Sequence, residues 1–192
     1  MKLSFCVSVL PDDSDYFPFL YNEDLELACA KAAEFGYDGV EINIRTPEDV
    51  DLNKVEKLLN KYDLELTTIA TGHNFGKDNL SFTRPRAEDR EAAVGRINDL
   101  IKVAGDFNSK VTLGCIRGTL EENINESEIK KRLNPCMLEV DETASENDVE
   151  LLFEPINRYE ICFGRSVEES IDYVKSLDTT NVKLMADTYH MN

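Results

Sequence analysis

Leu151-Leu152-Phe153-Glu154-Pro155-Ile156-Asn157-Arg158-Tyr159-Glu160 is the stretch on which the fold turns. An apolar run of strand length ends in a carboxylate and breaks at a proline, so Glu154 is expected where a buried strand leaves a core. Val182-Lys183-Leu184-Met185-Ala186-Asp187 repeats the arrangement of Val149 to Glu154, each acid lying five residues after its valine. If the two segments are neighbouring parallel strands, about 4.8 Å apart, both acids project from one level of one sheet. Two carboxylates so held suggest a shared cation. Taken singly, Glu154 reads as an exposed strand-end acid and Asp187 as a cap-like acid in a strand-to-helix loop, so the metal reading rests on the pair.

Working outward, residues 2–9 form a short β-type run. Asn22 or Asp24 then opens a helix with Leu25, Ala28, Cys29, Ala32 and Phe35 at helical spacing, closed by Gly36. Gly39 to Ile44 is predicted as the second strand. Thr46-Pro47 supplies an N-cap and a first-turn proline for a helix carrying Val55, Leu58, Leu59 and Tyr62 on one face. The third strand, Glu65 to Ala70, enters a long connection that begins Thr71-Gly72-His73-Asn74-Phe75-Gly76 and reaches about Arg86. Long loops after strands often carry function. Ala93, Val94, Ile97, Leu100, Ile101 and Ala104 mark the next helix, and Lys110 to Ile116 the fourth strand. Residues 127–147 read as helix, with Asn134-Pro135 expected to interrupt it. The fifth strand carries Glu154, a capping box Ser166-Val167-Glu168-Glu169 starts the next helix, and the sixth strand carries Asp187.

Six strands alternating with five helical segments at a spacing of roughly thirty residues predict a single parallel α/β domain over residues 1–192. Periodicity alone does not separate a doubly wound sheet from a (β/α)₈ barrel. The chain has no G-x-G-x-x-G after its first strand, which removes the usual reason for a dinucleotide fold. Candidate chemistry at the carboxyl ends of several strands is how barrels build their sites, and it favours an incomplete barrel of about six β/α units.

Lys and Arg number 21 against 38 Asp and Glu, a net charge of −17 that repels nucleic-acid backbones and anionic membranes. The acids are spread along the chain, as solvated helix faces are. Five cysteines without a C-x-x-C pair read as reduced thiols, and no run approaches transmembrane length. The expectation is a cytoplasmic protein with neither a nucleic-acid nor a membrane partner.

Glu154-Pro155-Ile156-Asn157-Arg158-Tyr159-Glu160 together with Asp187-Thr188-Tyr189-His190-Met191-Asn192 resembles the xylose-isomerase-like barrel superfamily, and within it the sugar phosphate isomerases/epimerases of D-tagatose and D-psicose 3-epimerase type. Phe35 to Ile42 and Asp78 to Val94 carry the resemblance further along the chain. It implies a (β/α)₈ TIM barrel and a divalent metal held by a Glu, an Asp, a His and a second Glu from strands five to eight. Glu154 and Asp187 match the first two. Glu154 is also implied as a catalytic acid/base, and Glu160 and His190 as substrate contacts near the reacting carbonyl. The implied reaction is isomerisation or epimerisation of a small-molecule sugar or sugar phosphate through an enediolate. A cation would stabilise the developing charge while carboxylates exchange the proton. Oxygen ligands point to manganese or magnesium, with cobalt or zinc also open.

Strands seven and eight have no counterpart before Asn192, so a truncated product or a piece of a longer enzyme is expected, with its own activity open. Its free strand edges would invite a homo-oligomer. A hydroxypyruvate-isomerase-like enzyme shares the metal arrangement. An endonuclease-IV-like hydrolase needs more than the two histidines present, and a non-catalytic barrel fragment would bind no metal. Arg158 is read as a brace paired with Glu160 or Glu154, His73 as loop surface, and Glu41 as a polar residue of the barrel interior or rim.

Overall fold

The computed structural model describes residues 2–8, 24–118 and 124–191. The suggested cap at Asn22, the end of the first predicted strand at Val9 and the terminal Asn192 lie outside the described residues. Six parallel strands form one sheet in chain order: β1 (Ser4–Ser8), β2 (Gly39–Asn43), β3 (Glu65–Ala70), β4 (Lys110–Leu113), β5 (Leu151–Phe153) and β6 (Val182–Leu184). The helices are α1 (Leu25–Glu34), α2 (Leu52–Tyr62), α3 (Gly72–Gly76), α4 (Ala87–Asp106), α5 (Glu126–Glu146) and α6 (Val167–Ser176). The partial barrel expected from candidate chemistry at the strand ends, and implied by the resemblance, is the architecture found.

The two faces of the sheet differ because side chains alternate along each strand. Val7, Val40, Ile42, Ile69, Val111, Leu113, Leu151 and Phe153 are buried in one continuous core with the helix residues Ala28, Val55, Ile97, Leu100, Leu133 and Val140. Their strand neighbours Cys6, Glu41, Asn43, Thr112 and Glu154 line a cavity of about 790 Å³ on the other face. The apolar strand residues thus hold the helices, and the polar ones are left to face the centre of the barrel.

Helix starts follow local chemistry. The Asp24 carboxylate accepts from the Leu27 amide at 2.9 Å, and Ser166 Oγ from the Glu169 amide at 3.1 Å. Glu169 does not close the expected capping box on Ser166; its carboxylate accepts from the Arg165 amide instead. Thr46-Pro47 opens only a 3₁₀ turn over Pro47–Asp49, and α2 has its own cap in Asp51, which accepts from the Lys54 amide at 3.1 Å. The fourth strand ends at Leu113, where a 3₁₀ turn over Cys115–Arg117 takes over. Among the described residues no helix is long and apolar enough to cross a membrane.

Pro135 does not interrupt its helix, which runs unbroken from Glu126 to Glu146. The proline is exposed, as is Lys131, whose carbonyl loses its partner, so water can satisfy that oxygen while Leu133, Cys136 and Met137 stay buried on the opposite side. The penalty remains in the native state. Pro135→Ala is expected to raise the unfolding free energy by about 1–3 kcal/mol, read from urea unfolding; an unchanged midpoint would mean that the helix has already adapted to the ring.

Candidate active site

Glu154 leaves β5 with its amide donating to the Leu113 carbonyl at 3.3 Å, which continues the ladder one residue past the strand. Its own carbonyl accepts from Arg117 Nη2. Arg117 is 1% exposed and supplies the rest of this junction. Nε donates to the carbonyls of Leu113 at 2.8 Å and Gly114 at 3.2 Å, Nη1 donates to that of Phe163 at 3.3 Å, and the guanidinium lies 3.7 Å from the centre of the Phe153 ring. Two glycines make room. A Cβ at Gly114 would stand 2.8 Å from Glu154 Oε2, and one at Gly164, where φ is +74°, 2.6 Å from Arg117 Nη1.

The second acid arrives by a different route from the one its sequence suggests. Leu151 pairs with Val182 and Phe153 with Leu184, and the Met185 amide continues the ladder to the Phe153 carbonyl at 3.0 Å. Met185, and not Asp187, therefore stands at the level of Glu154, and the two acids are offset by two residues. The chain turns as it leaves β6, which brings the acid back. Asp187 Oδ1 accepts from the Tyr189 amide at 2.8 Å, and its carbonyl accepts from the amides of His190 at 3.1 Å and Met191 at 3.2 Å. One ligand atom each from Glu154, Asp187 and His190 then lie within 4.8 Å of one another.

Of the four predicted site residues, Glu154, Asp187 and His190 form this cluster, and Glu160 lines the same cavity. Glu160 Oε1 accepts from Asn157 Nδ2 at 2.6 Å and lies 3.9 Å from His190 Nδ1. Glu41 faces the cavity from β2, as an interior polar residue should, and its carboxylate accepts from Cys6 Sγ at 3.2 Å. Two readings are corrected. Arg158 is no brace to Glu160 or Glu154: it is turned onto the Tyr159 ring, 5.2 Å from its centre. His73 is no loop-surface residue but is 3% exposed within α3, because Thr71 and Thr112 tie the start of that helix to β4 by bonds of 2.8 and 3.3 Å.

Arg117 is the residue that sequence reading missed. Only its place just after β4 could have singled it out, and its acceptors are main-chain carbonyls from segments distant in the chain. Glu41 and Asn43 carried a clearer signal, as polar residues alternating with Val40, Ile42 and Ile44.

Burial pushes the Glu154 carboxyl up to about 7; Arg117 opposes this, while Asp187, Glu41 and Glu160 add to it. Glu41 is raised as well, chiefly by burial. Burial also lowers Arg117 to about 10, which leaves it charged at neutral pH. The folded chain thus holds a proton on Glu154 that the unfolded chain releases near 4.5. Stability should therefore fall as pH rises from about 4.5 to about 7, by a total of about 3 kcal/mol from this group, and stay low above that window. Urea unfolding across the window is expected to show the fall in metal-free wild type and a flatter profile in Glu154→Gln. Equal slopes in both proteins would place the proton elsewhere. Arg117→Met should cost about 3 kcal/mol or more in the same assay, since it strips the carbonyls of their donor.

The D-psicose 3-epimerase of Ruminiclostridium cellulolyticum is 27% identical to this chain over 186 residues, which cover 92% of the chain and 61% of the relative. The D-psicose 3-epimerase of Enterocloster bolteae is 29% identical over 187 residues, covering 92% and 62%. A solved L-ribulose 3-epimerase structure superposes with a TM-score of 0.82 at 21% identity, covering all of this chain and 62% of that one. The chain thus spans about three fifths of the length of these relatives. The xylose isomerase-like TIM barrel family matches residues 29–192, a span that holds five of the six strands and every residue of the cluster, and the chain belongs to that family.

Proposed function

We propose that this chain carries the first part of the active site of a divalent-metal-dependent isomerase or epimerase acting on a ketose. The observation that carries the reading is the convergence of Glu154, Asp187 and His190 within 4.8 Å at the carboxyl ends of adjacent strands. The ketose 3-epimerase relatives support the reaction class. Glu154 and Asp187 would hold the cation. Their oxygens suit manganese or magnesium, and the acidic neighbours that add to burial in raising Glu154 are what a bound cation would offset. Such an ion supplies Lewis-acid polarisation of a carbonyl and its neighbouring hydroxyl.

The chain's own residues divide the remaining work. Glu154, a carboxylate once its proton has left, takes or returns the proton on the carbon beside the carbonyl. His190 and Glu160 meet substrate oxygens on the same side of the cavity. Inversion at that carbon calls for a second acid/base group on the opposite face, and Glu154 serves one face only. Arg117 fixes where Glu154 begins through its main-chain carbonyl, so the base is held by its backbone as well as by its surroundings.

Isothermal titration of manganese into metal-stripped protein tests the cation site. Glu154→Gln and Asp187→Asn are each expected to weaken binding at least about tenfold, or about 1.4 kcal/mol. Wild-type affinity should rise with pH up to about 7, because the Glu154 proton has to leave before a cation binds. Unchanged affinity in both variants would overturn the site. Ketoses incubated with the manganese-loaded chain and analysed for the C3 epimer test the reaction.

A further inference from the structure

The loops after β5 and β6 meet through one side-chain amide. Asn157 Oδ1 accepts from the Tyr159 amide at 2.9 Å, while its Nδ2 donates to Glu160 Oε1 at 2.6 Å and to His190 Nδ1 at 2.9 Å. Tyr159 settles which way the amide faces. A backbone N–H can only donate, so the amide oxygen must stand against it and the NH₂ against the carboxylate and the imidazole. The flipped amide would set oxygen against a carboxylate oxygen and NH₂ against N–H.

A ring nitrogen that faces an N–H donor must offer its lone pair there. His190 Nδ1 is therefore the bare nitrogen, and in the neutral ring the proton sits on Nε2. Without Asn157 the preference would be lost. Glu160 Oε1 lies 3.9 Å from Nδ1 and would draw a proton to that nitrogen; the amide stands between them and bonds both. Nε2 is turned toward Glu154, 3.9 Å from Oε1, which is too long for a direct hydrogen bond.

We propose that Asn157 is a positioning residue that fixes His190 as the Nε2–H tautomer, so that the ring presents a hydrogen-bond donor to the space beside Glu154 and Asp187. A metal ligand needs a lone pair at the coordinating nitrogen. The cluster of three side chains thus contains two cation ligands, and His190 is the donor beside them. Its Nε2–H is matched to an oxygen acceptor, the carbonyl or hydroxyl of a hydroxylated carbon chain. That last assignment rests on the isomerase reading, whereas the tautomer does not.

Long-range ¹H–¹⁵N spectra of ¹⁵N-labelled, metal-free protein read the tautomer directly at a pH where the ring is neutral. The chain has two histidines, and His190 is identified by the signals lost in His190→Gln. The wild type is expected to show a protonated Nε2 and an unprotonated Nδ1. The opposite pattern, or an average of the two, overturns the proposal without any variant. Asn157→Asp replaces the donor by an acceptor and should move the proton to Nδ1; Asn157→Ala should give averaged signals. An unchanged pattern in a folded Asn157→Asp protein would show that some other group sets the tautomer. Added magnesium is expected to leave Nε2 protonated, and loss of that proton would make His190 a ligand and overturn the two-ligand assignment. Absence of metal binding and turnover would count against the isomerase reading and leave the metal-free spectrum as it is, so the two can fail separately.

Discussion

A buried guanidinium has to be surrounded by acceptors, and Arg117 finds them in the main chain. Carbonyls of Leu113, Gly114, Glu154 and Phe163 converge on it, and the Phe153 ring covers its face. These groups come from the ends of β4 and β5 and from the loop before α6, so one side chain holds together backbone at and beyond the end of the ladder. Among the described residues no carboxylate pairs with it within this ring of carbonyls, so its charge extends to the nearest acid in the cavity. It holds the Glu154 carboxyl below the value that burial alone would set. Backbone position and acidity of the same residue thus depend on a single cation.

The carboxylates work against one another. Glu41, Glu154, Glu160 and Asp187 share a cavity, where burial raises the Glu154 carboxyl and the repulsion of the other acids adds to it. Polar side chains on the inner face are the condition for this. If Glu41, Asn43 and Thr112 were apolar, the centre of the sheet would pack as a second core and leave no room for a ligand. The helices already satisfy the outer face, so the inner one is free to carry chemistry.

Much of this was legible in the chain because it is local. A strand that ends in an acid and a proline announces where Glu154 lies, and the spacing in Asp187-Thr188-Tyr189-His190 is that of a turn folding back on its first residue. The parallel order followed from the alternation of short apolar runs with helical stripes. The features that were not legible depend on distant partners. Nothing near His73 signals its burial, which follows from the Thr71 to Thr112 bonds across two strands. Arg117 looks like any loop arginine until the β5 end is placed beside it. Pro135 read as a break because its ring removes an amide donor, and the sequence alone does not say whether packing on the opposite face holds the helix together there.

The two-residue offset between Glu154 and Asp187 belongs to a larger pattern. Ladder partners of Glu41 lead through Thr68 to Lys110, yet the cavity-lining residue of β4 is Thr112, two places further on. Thr112 pairs with Leu152, and the lining residue is Glu154, again two further. A third step of two carries the wall from Met185 to Asp187. This is shear: in a sheet rolled into a tilted barrel, residues at one height climb the ladder from strand to strand. Sliding β2, β5 or β6 along its neighbour would therefore carry Glu41, Glu154 or Asp187 away from the other acids of the cavity.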